Sequence, residues 1–178
     1  MIDEPTDALS QRNLWAPWRM DYIRGIKDRD RCFLCDHRDA PDDDRENLVL
    51  WRSPRCLVVM NRYPYTAGHS LVAPLQHVPS LAELDGQALR EMMELTRDLQ
   101  TVLSSAIGCQ GFNVGINIGK CAGAGLPGHL HLHVVPRWMG DTNFMPLFGS
   151  VQVVPRALDD LYDHLRATAD NEGLPKTS

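Results

Sequence analysis

An α+β fold is predicted for this chain by three observations. Short apolar segments at 48–51, 56–60 and 69–73 follow one another with only turn residues between them. One long segment, 87–107, repeats its apolar residues every three to four positions. Two further segments, 112–118 and 129–135, alternate apolar and polar residues with a period of two. Close-spaced strands without crossover helices pair antiparallel, and a separate long helix then packs on the resulting sheet.

At 178 residues the chain fits one domain with extensions, and a net charge of −5 argues against a broad nucleic-acid-binding surface. No apolar run reaches the ~20 residues that span a bilayer. The first ten residues are acidic and carry no apolar signal core. Five cysteines, Cys32, Cys35, Cys56, Cys109 and Cys121, are an odd number, which favours reduced thiols over a disulfide framework. These features predict a cytoplasmic protein that uses neither nucleic acid nor membrane as a partner.

Residues 1–30 read as an N-terminal extension. Within it, Leu14, Trp15, Trp18, Tyr22 and Ile23 form an aromatic cluster too apolar for a free tail. Cys32-Phe33-Leu34-Cys35 opens the main domain, predicted over 31–170. In a chain of this kind Cys-x-x-Cys is half a zinc site, a redox pair, or a pair with no metal role. No thioredoxin-like pattern surrounds it. The acidic loop Asp42-Asp43-Asp44 reads as solvated. Ser53-Pro54 and Tyr63-Pro64-Tyr65-Thr66-Ala67-Gly68 supply the turns between the first strands.

The helix over 87–107 has a stripe of Leu89, Met92, Met93, Thr96, Leu99, Val102, Leu103 and Ala106. Asp85 suits its N-cap and Gly108 its end. In the next strand Phe112, Val114, Ile116 and Ile118 are expected in the core, with Asn113, Gly115 and Asn117 opposite. A glycine-rich loop, 119–128, follows. Its Gly115-to-Lys120 stretch is one residue short of a P-loop and lacks the following Ser or Thr. Residues 151–154 suit a last strand and 157–168 an amphipathic helix, with His164 on its surface. A disordered tail is expected over 171–178.

The chemistry concentrates in Gly128-His129-Leu130-His131-Leu132-His133-Val134-Val135. On a strand, His129, His131 and His133 project from one face and the aliphatic residues from the other. Such a row offers imidazoles to a metal, or a nucleophile flanked by proton donors. The residues alone leave both readings open.

The motif His-φ-His-φ-His-φ-φ over His129 to Val135 resembles the histidine triad superfamily. The resemblance extends upstream through Asn61, the proline turn, Gly68-His69, Pro74 and His77, and covers roughly 32–140. The Trp15 cluster, Phe112-Asn113-Val114-Gly115 and Pro136-Arg137-Trp138 are similar to bacterial diadenosine tetraphosphate phosphorylases and related hydrolases. The resemblance implies a five-stranded antiparallel sheet with helices on one face, paired into a homodimer with a continuous sheet. It implies that His131 attacks the α-phosphorus of a nucleotide, forming a nucleotidyl-imidazole. His133 then serves the phosphate and leaving group, and His129 completes the triad. Asn61 is implied as a ribose partner and Asn117 as a phosphate-side amide, with Gly125 and Trp138 as further nucleotide contacts. In some relatives two cysteines, a histidine and the first triad histidine hold structural zinc, which here maps to Cys32, Cys35, His77 and His129. The implied activity is phosphorolysis of diadenosine tetraphosphate. Hydrolysis of dinucleoside polyphosphates or nucleoside phosphoramidates, and nucleotide-binding regulation, are the alternatives. One departure stands out: Ala124-Gly125-Leu126 occupies the place where many members carry Gly-Gln-Ser/Thr.

Overall fold

The computed structural model describes residues 31–141 and 157–176. The Trp15 cluster and the strand expected at 151–154 lie outside them. Five strands form one antiparallel sheet: β1 (Val49–Arg52), β2 (Cys56–Met60), β3 (Ser70–Pro74), β4 (Gly111–Ile116) and β5 (Leu132–Arg137). Their spatial order is β1-β2-β3-β5-β4. Among the described residues three α-helices accompany them: α1 (Phe33–Asp39), α2 (Gly86–Ile107) and α3 (Leu158–Glu172). No helix among the described residues is long and apolar enough to cross a membrane.

The period-two pattern sorts residues to two faces. Val58, Val72, Leu132 and Val134 point toward α2 and α3, where Met92, Leu95, Leu99, Leu103, Leu161 and Leu165 meet them. Val49, Leu57, Val59 and Ala73 point the other way and form a smaller cluster with Leu34 of α1. The register Leu71↔His133 and Gly115↔His133 puts the histidines on this second face. Core packing therefore anchors β5 from behind, with His133 on the opposite face and His129 and His131 just ahead of the strand.

Helix α2 begins where its sequence says it should. Asp85 accepts hydrogen bonds from the backbone N–H of Gln87 and Ala88, both at 2.8 Å, and Gly108 ends the helix at φ 59°. Gly68 is required twice over. Its φ is +78°, and a Cβ there would sit 2.8 Å from Leu103 and 2.9 Å from Ile107. The turn before β3 is thereby pressed onto α2, with His69 directly after it.

Several expectations are corrected. Met93 is 58 % exposed, while Leu95 supplies the core contact in its place. Val114, on β4, and Ile118, two residues beyond it, are also exposed: among the described residues β4 pairs only with β5, at the edge of the sheet. His164 is half-buried, its Nε2 bonded to the Ala106 carbonyl at 2.9 Å, so it ties α3 to α2 instead of facing water. The expected disordered tail from Asn171 is ordered as far as the described residues go. Helix α3 runs to Glu172, Leu174 packs on the core, and the Lys176 N–H donates to buried Asp98 at 2.8 Å.

Candidate functional site

His129, just before β5, is buried, and its ring is held at both nitrogens. Nε2–H donates to the Pro74 carbonyl at 2.8 Å, which leaves the Nδ1 lone pair facing Cys32 Sγ at 3.1 Å and Cys35 Sγ at 3.6 Å. His77 Nδ1 lies 3.2 Å from Cys35 Sγ. Ligand atoms of Cys32, Cys35, His77 and His129 all fall within 4.8 Å of one another. A tetrahedral zinc ion separates sulfur and nitrogen ligands by about 3.5 Å, so this donor set fits one. Gly128 makes room for it, since a Cβ there would press on His77 Nε2 at 3.3 Å. The bond from His129 to Pro74 orients the ring as an outer partner orients a metal-ligating histidine. Burial pushes the Cys32 thiol up to about 11, the cost a thiolate bears there without a cation. His37 is absent from the group; its ring meets Phe33 edge-on instead.

His131 is buried, and its Nδ1–H donates to the His129 carbonyl at 2.8 Å. The lone pair therefore sits on Nε2. Burial lowers the pKa of His131, which keeps the imidazole neutral and able to attack an electrophile. Its ring meets that of His133 edge-on at 4.9 Å. One residue thus belongs to both groups: the His129 ring faces the cysteines while its carbonyl holds His131.

His69 was not among the residues the sequence marked for a role, yet it completes the row. It is fully buried, and its Nε2 lies 3.0 Å from His133 Nδ1. The backbone N–H of Tyr65 donates to His69 Nδ1 at 3.1 Å. A backbone N–H can only donate, so Nδ1 accepts and the His69 proton is on Nε2. That proton points at His133 Nδ1, which leaves the His133 proton on its own Nε2. The Tyr65 ring lies tilted against that of His69, with centroids 4.6 Å apart. The signal in the sequence was Gly68-His69 itself. Only the pairing of β3 with β5 brings it to the triad.

Of the expected nucleotide contacts, Asn61 stands at the end of β2 beside His69. Its Oδ1 accepts the Tyr63 N–H at 2.9 Å and its Nδ2 approaches His69 Nδ1 at 3.4 Å. Asn117 directly follows β4, one residue beyond its last pair with β5, Ile116↔Leu132. Gly125 lies in the loop before the triad, half-buried, next to Leu126, which packs on the second-face cluster. Trp138 is not brought to the histidines. Its indole N–H donates to the Ile107 carbonyl at 3.3 Å, at the end of α2 behind the sheet.

The neutral histidines carry a pH prediction. Burial, reinforced by neighbouring His133 and His131, lowers His69 to about 3, against 6.5 in an unfolded chain. A depressed folded pKa means the unfolded chain binds the proton first. The stability contributed is complete above pH 6.5 and is lost as pH falls from 6.5 toward 3. Melting temperature should therefore drop between pH 6.5 and 5, before most carboxylates titrate. His69→Gln should flatten that slope; an unchanged slope would mean the acid sensitivity lies elsewhere.

Comparison with known proteins agrees with this geometry. The HIT domain family matches residues 43–139. The chain is 36% identical over 155 residues to a protein named AP-4-A phosphorylase from Mycobacterium tuberculosis, covering 84% of this chain and 80% of that one. It is 32% identical over 93 residues to the asymmetrical bis(5'-nucleosyl)-tetraphosphatase of Schizosaccharomyces pombe, covering 52% of this chain and 50% of that one. Among solved structures, a Zn-bound histidine triad family protein from Mycobacterium smegmatis superposes with a TM-score of 0.66 at 24% identity, covering 80% of this chain and 95% of that one. The chain belongs to the HIT domain family and is an enzyme of the histidine triad type.

Proposed function

We propose that the protein is a diadenosine tetraphosphate phosphorylase working through a nucleotidyl-His131 intermediate. The observation that carries this reading is the 2.8 Å bond from His131 Nδ1–H to the His129 carbonyl, which directs a neutral Nε2 lone pair toward substrate. That lone pair attacks the α-phosphorus, and the bond from that phosphorus to the bridging oxygen breaks. His133 Nε2–H donates a hydrogen bond to the departing ATP oxygen, which leaves as an anion, and His69 Nε2–H holds the His133 ring in that tautomer at Nδ1. Inorganic phosphate then attacks the adenylyl group, the P–N bond breaks, ADP forms and Nε2 recovers its lone pair. Asn61 would hold ribose, and Asn117 with the backbone N–H groups near Gly125 would hold phosphate oxygens. The likeness to a protein named AP-4-A phosphorylase over most of both chains favours phosphate as acceptor.

Cys32, Cys35, His77 and His129 would hold one structural zinc ion, which when bound supplies a rigid, closed cross-link. His129 then presents its carbonyl to His131 from a fixed ring. Reduced cysteines fit a cytoplasmic protein. The exposed Val114 and Ile118 on the open edge of β4 favour a homodimer with a continuous sheet.

The test is product analysis with diadenosine tetraphosphate in millimolar phosphate. ADP plus ATP is expected, with a rate that rises with phosphate. Water is present at ~55 M, so phosphate prevails only if the site binds it. AMP plus ATP at a phosphate-independent rate would make the protein a hydrolase. The tetraphosphatase relative gives that second reading its weight.

A further inference from the structure

We infer that Arg52 is a positioning residue for the metal cluster: its guanidinium clamps the C-terminal end of α1 so that Cys32 and Cys35 face His77 and His129. The inference rests on the zinc reading given above. Both cysteines enter the cluster from α1, Cys32 as its N-cap and Cys35 in its first turn. A helix of seven residues does not hold its shape alone. Burial of Leu34 against Val49, Leu57, Val59 and Ala73 sets the helix on the sheet but leaves its far end unsecured.

Arg52 secures that end. As the last residue of β1, it donates from Nη1 to the Arg38 carbonyl at 3.0 Å and from Nη2 to the His37 and Ala40 carbonyls at 2.5 and 3.3 Å. The His37 and Ala40 carbonyls also accept the backbone N–H groups of Ala40 and Asp43, at 3.4 and 3.3 Å, so the guanidinium adds a second donor to these long bonds at the helix end. The Asp44 carboxylate holds the fork in place, with Nε at 2.8 Å and Nη2 at 2.5 Å. A cation is also favoured at a helix C-terminus. Only a planar guanidinium reaches so many acceptors at once; an ammonium does not. A second tie runs from Arg38 Nη1 to the Leu75 carbonyl at 3.0 Å. Leu75 follows Pro74, whose carbonyl receives His129 Nε2–H. Helix α1 is thus keyed to β1 through Arg52 and to the same end of β3 that orients His129.

Arg52 touches none of the four ligands and acts by ordering α1 in advance, so that the ion does not have to order it. In Arg52→Met, transfer of metal to a chromogenic chelator should be roughly ten- to a hundredfold faster, as loss of an outer partner typically costs. Arg52→Lys should fall between Arg52→Met and the wild-type chain. Tyr162→Phe serves as the control. It removes a hydroxyl bond to the Val49 carbonyl on the same strand, so it should lower the melting temperature without speeding metal transfer. Wild-type transfer rates in Arg52→Met, or an equal acceleration in Tyr162→Phe, would overturn the inference. If the wild-type protein takes up no zinc, the zinc reading fails and the clamp is judged by amide exchange. Exchange in α1 about tenfold faster in Arg52→Met, with β2 unchanged, supports it. Unchanged exchange in α1 overturns it.

Discussion

Replacing His131 by Asn should lower kcat by about 10⁴-fold or more, as loss of a covalent nucleophile does, while nucleotide affinity changes little. Asn is similar in length and can still donate to the His129 carbonyl, so the bond at 2.8 Å need not be lost. What it lacks is the Nε2 lone pair. Asn61, Asn117 and the loop before the triad, the substrate contacts proposed above, are left in place. His133→Asn should cost about 10²–10³-fold, the range for losing one donor to developing charge, because attack can still occur while the leaving oxygen loses its imidazole donor. Single-turnover kinetics would separate the two variants. A loss of less than tenfold for His131→Asn would remove this residue from the nucleophile's role.

The second large effect concerns the metal cluster. A Cys32→Ser/Cys35→Ser double variant should contain no zinc where the wild-type protein contains about one ion per chain, and its melting temperature should fall sharply. A metal clamp between α1, the residues after β3 and the start of β5 joins segments about a hundred residues apart, and its binding free energy counts toward folding. Activity should fall as well, since the His129 ring would lose two partners while its carbonyl still carries His131. Metal analysis on the purified variants decides the matter. Full zinc retention in the double variant would remove these cysteines from the site.

Much of this was legible in the sequence because it depends on local rules. Asp85 and Gly108 marked the bounds of α2 by capping chemistry alone. The alternation His129-Leu130-His131-Leu132-His133 assigned its own faces, since apolar residues had to meet the core. The spacing of Cys32 and Cys35 left half a zinc site, a redox pair and a pair with no metal role open, and the group they form with His77 and His129 fits the first. What was not legible depends on pairing between distant segments. His69 joins the triad only because β3 lies next to β5 in the register Leu71↔His133. Val114 obeys the same alternation as its neighbours but lies on an edge strand, where the helix layer does not cover it. Met93 failed because the buried face of α2 is turned toward Ala88, Leu95 and Asp98 and away from Met93. Trp138 stands one strand-length from the triad yet faces the helix side, which its parity with Val134 and Pro136 already implied. Arg52 carries no motif at all. Its importance comes from where the end of α1 falls relative to β1.

The most direct test of the account is to find where the nucleotide becomes attached. Enzyme mixed with diadenosine tetraphosphate in the absence of phosphate, quenched at high pH and digested, should yield a peptide carrying an adenylyl group on His131. Addition of phosphate before the quench should discharge it as ADP. An adenylyl group on His129 or His133 instead, or sustained turnover with no histidine adduct under any quench, would contradict the account.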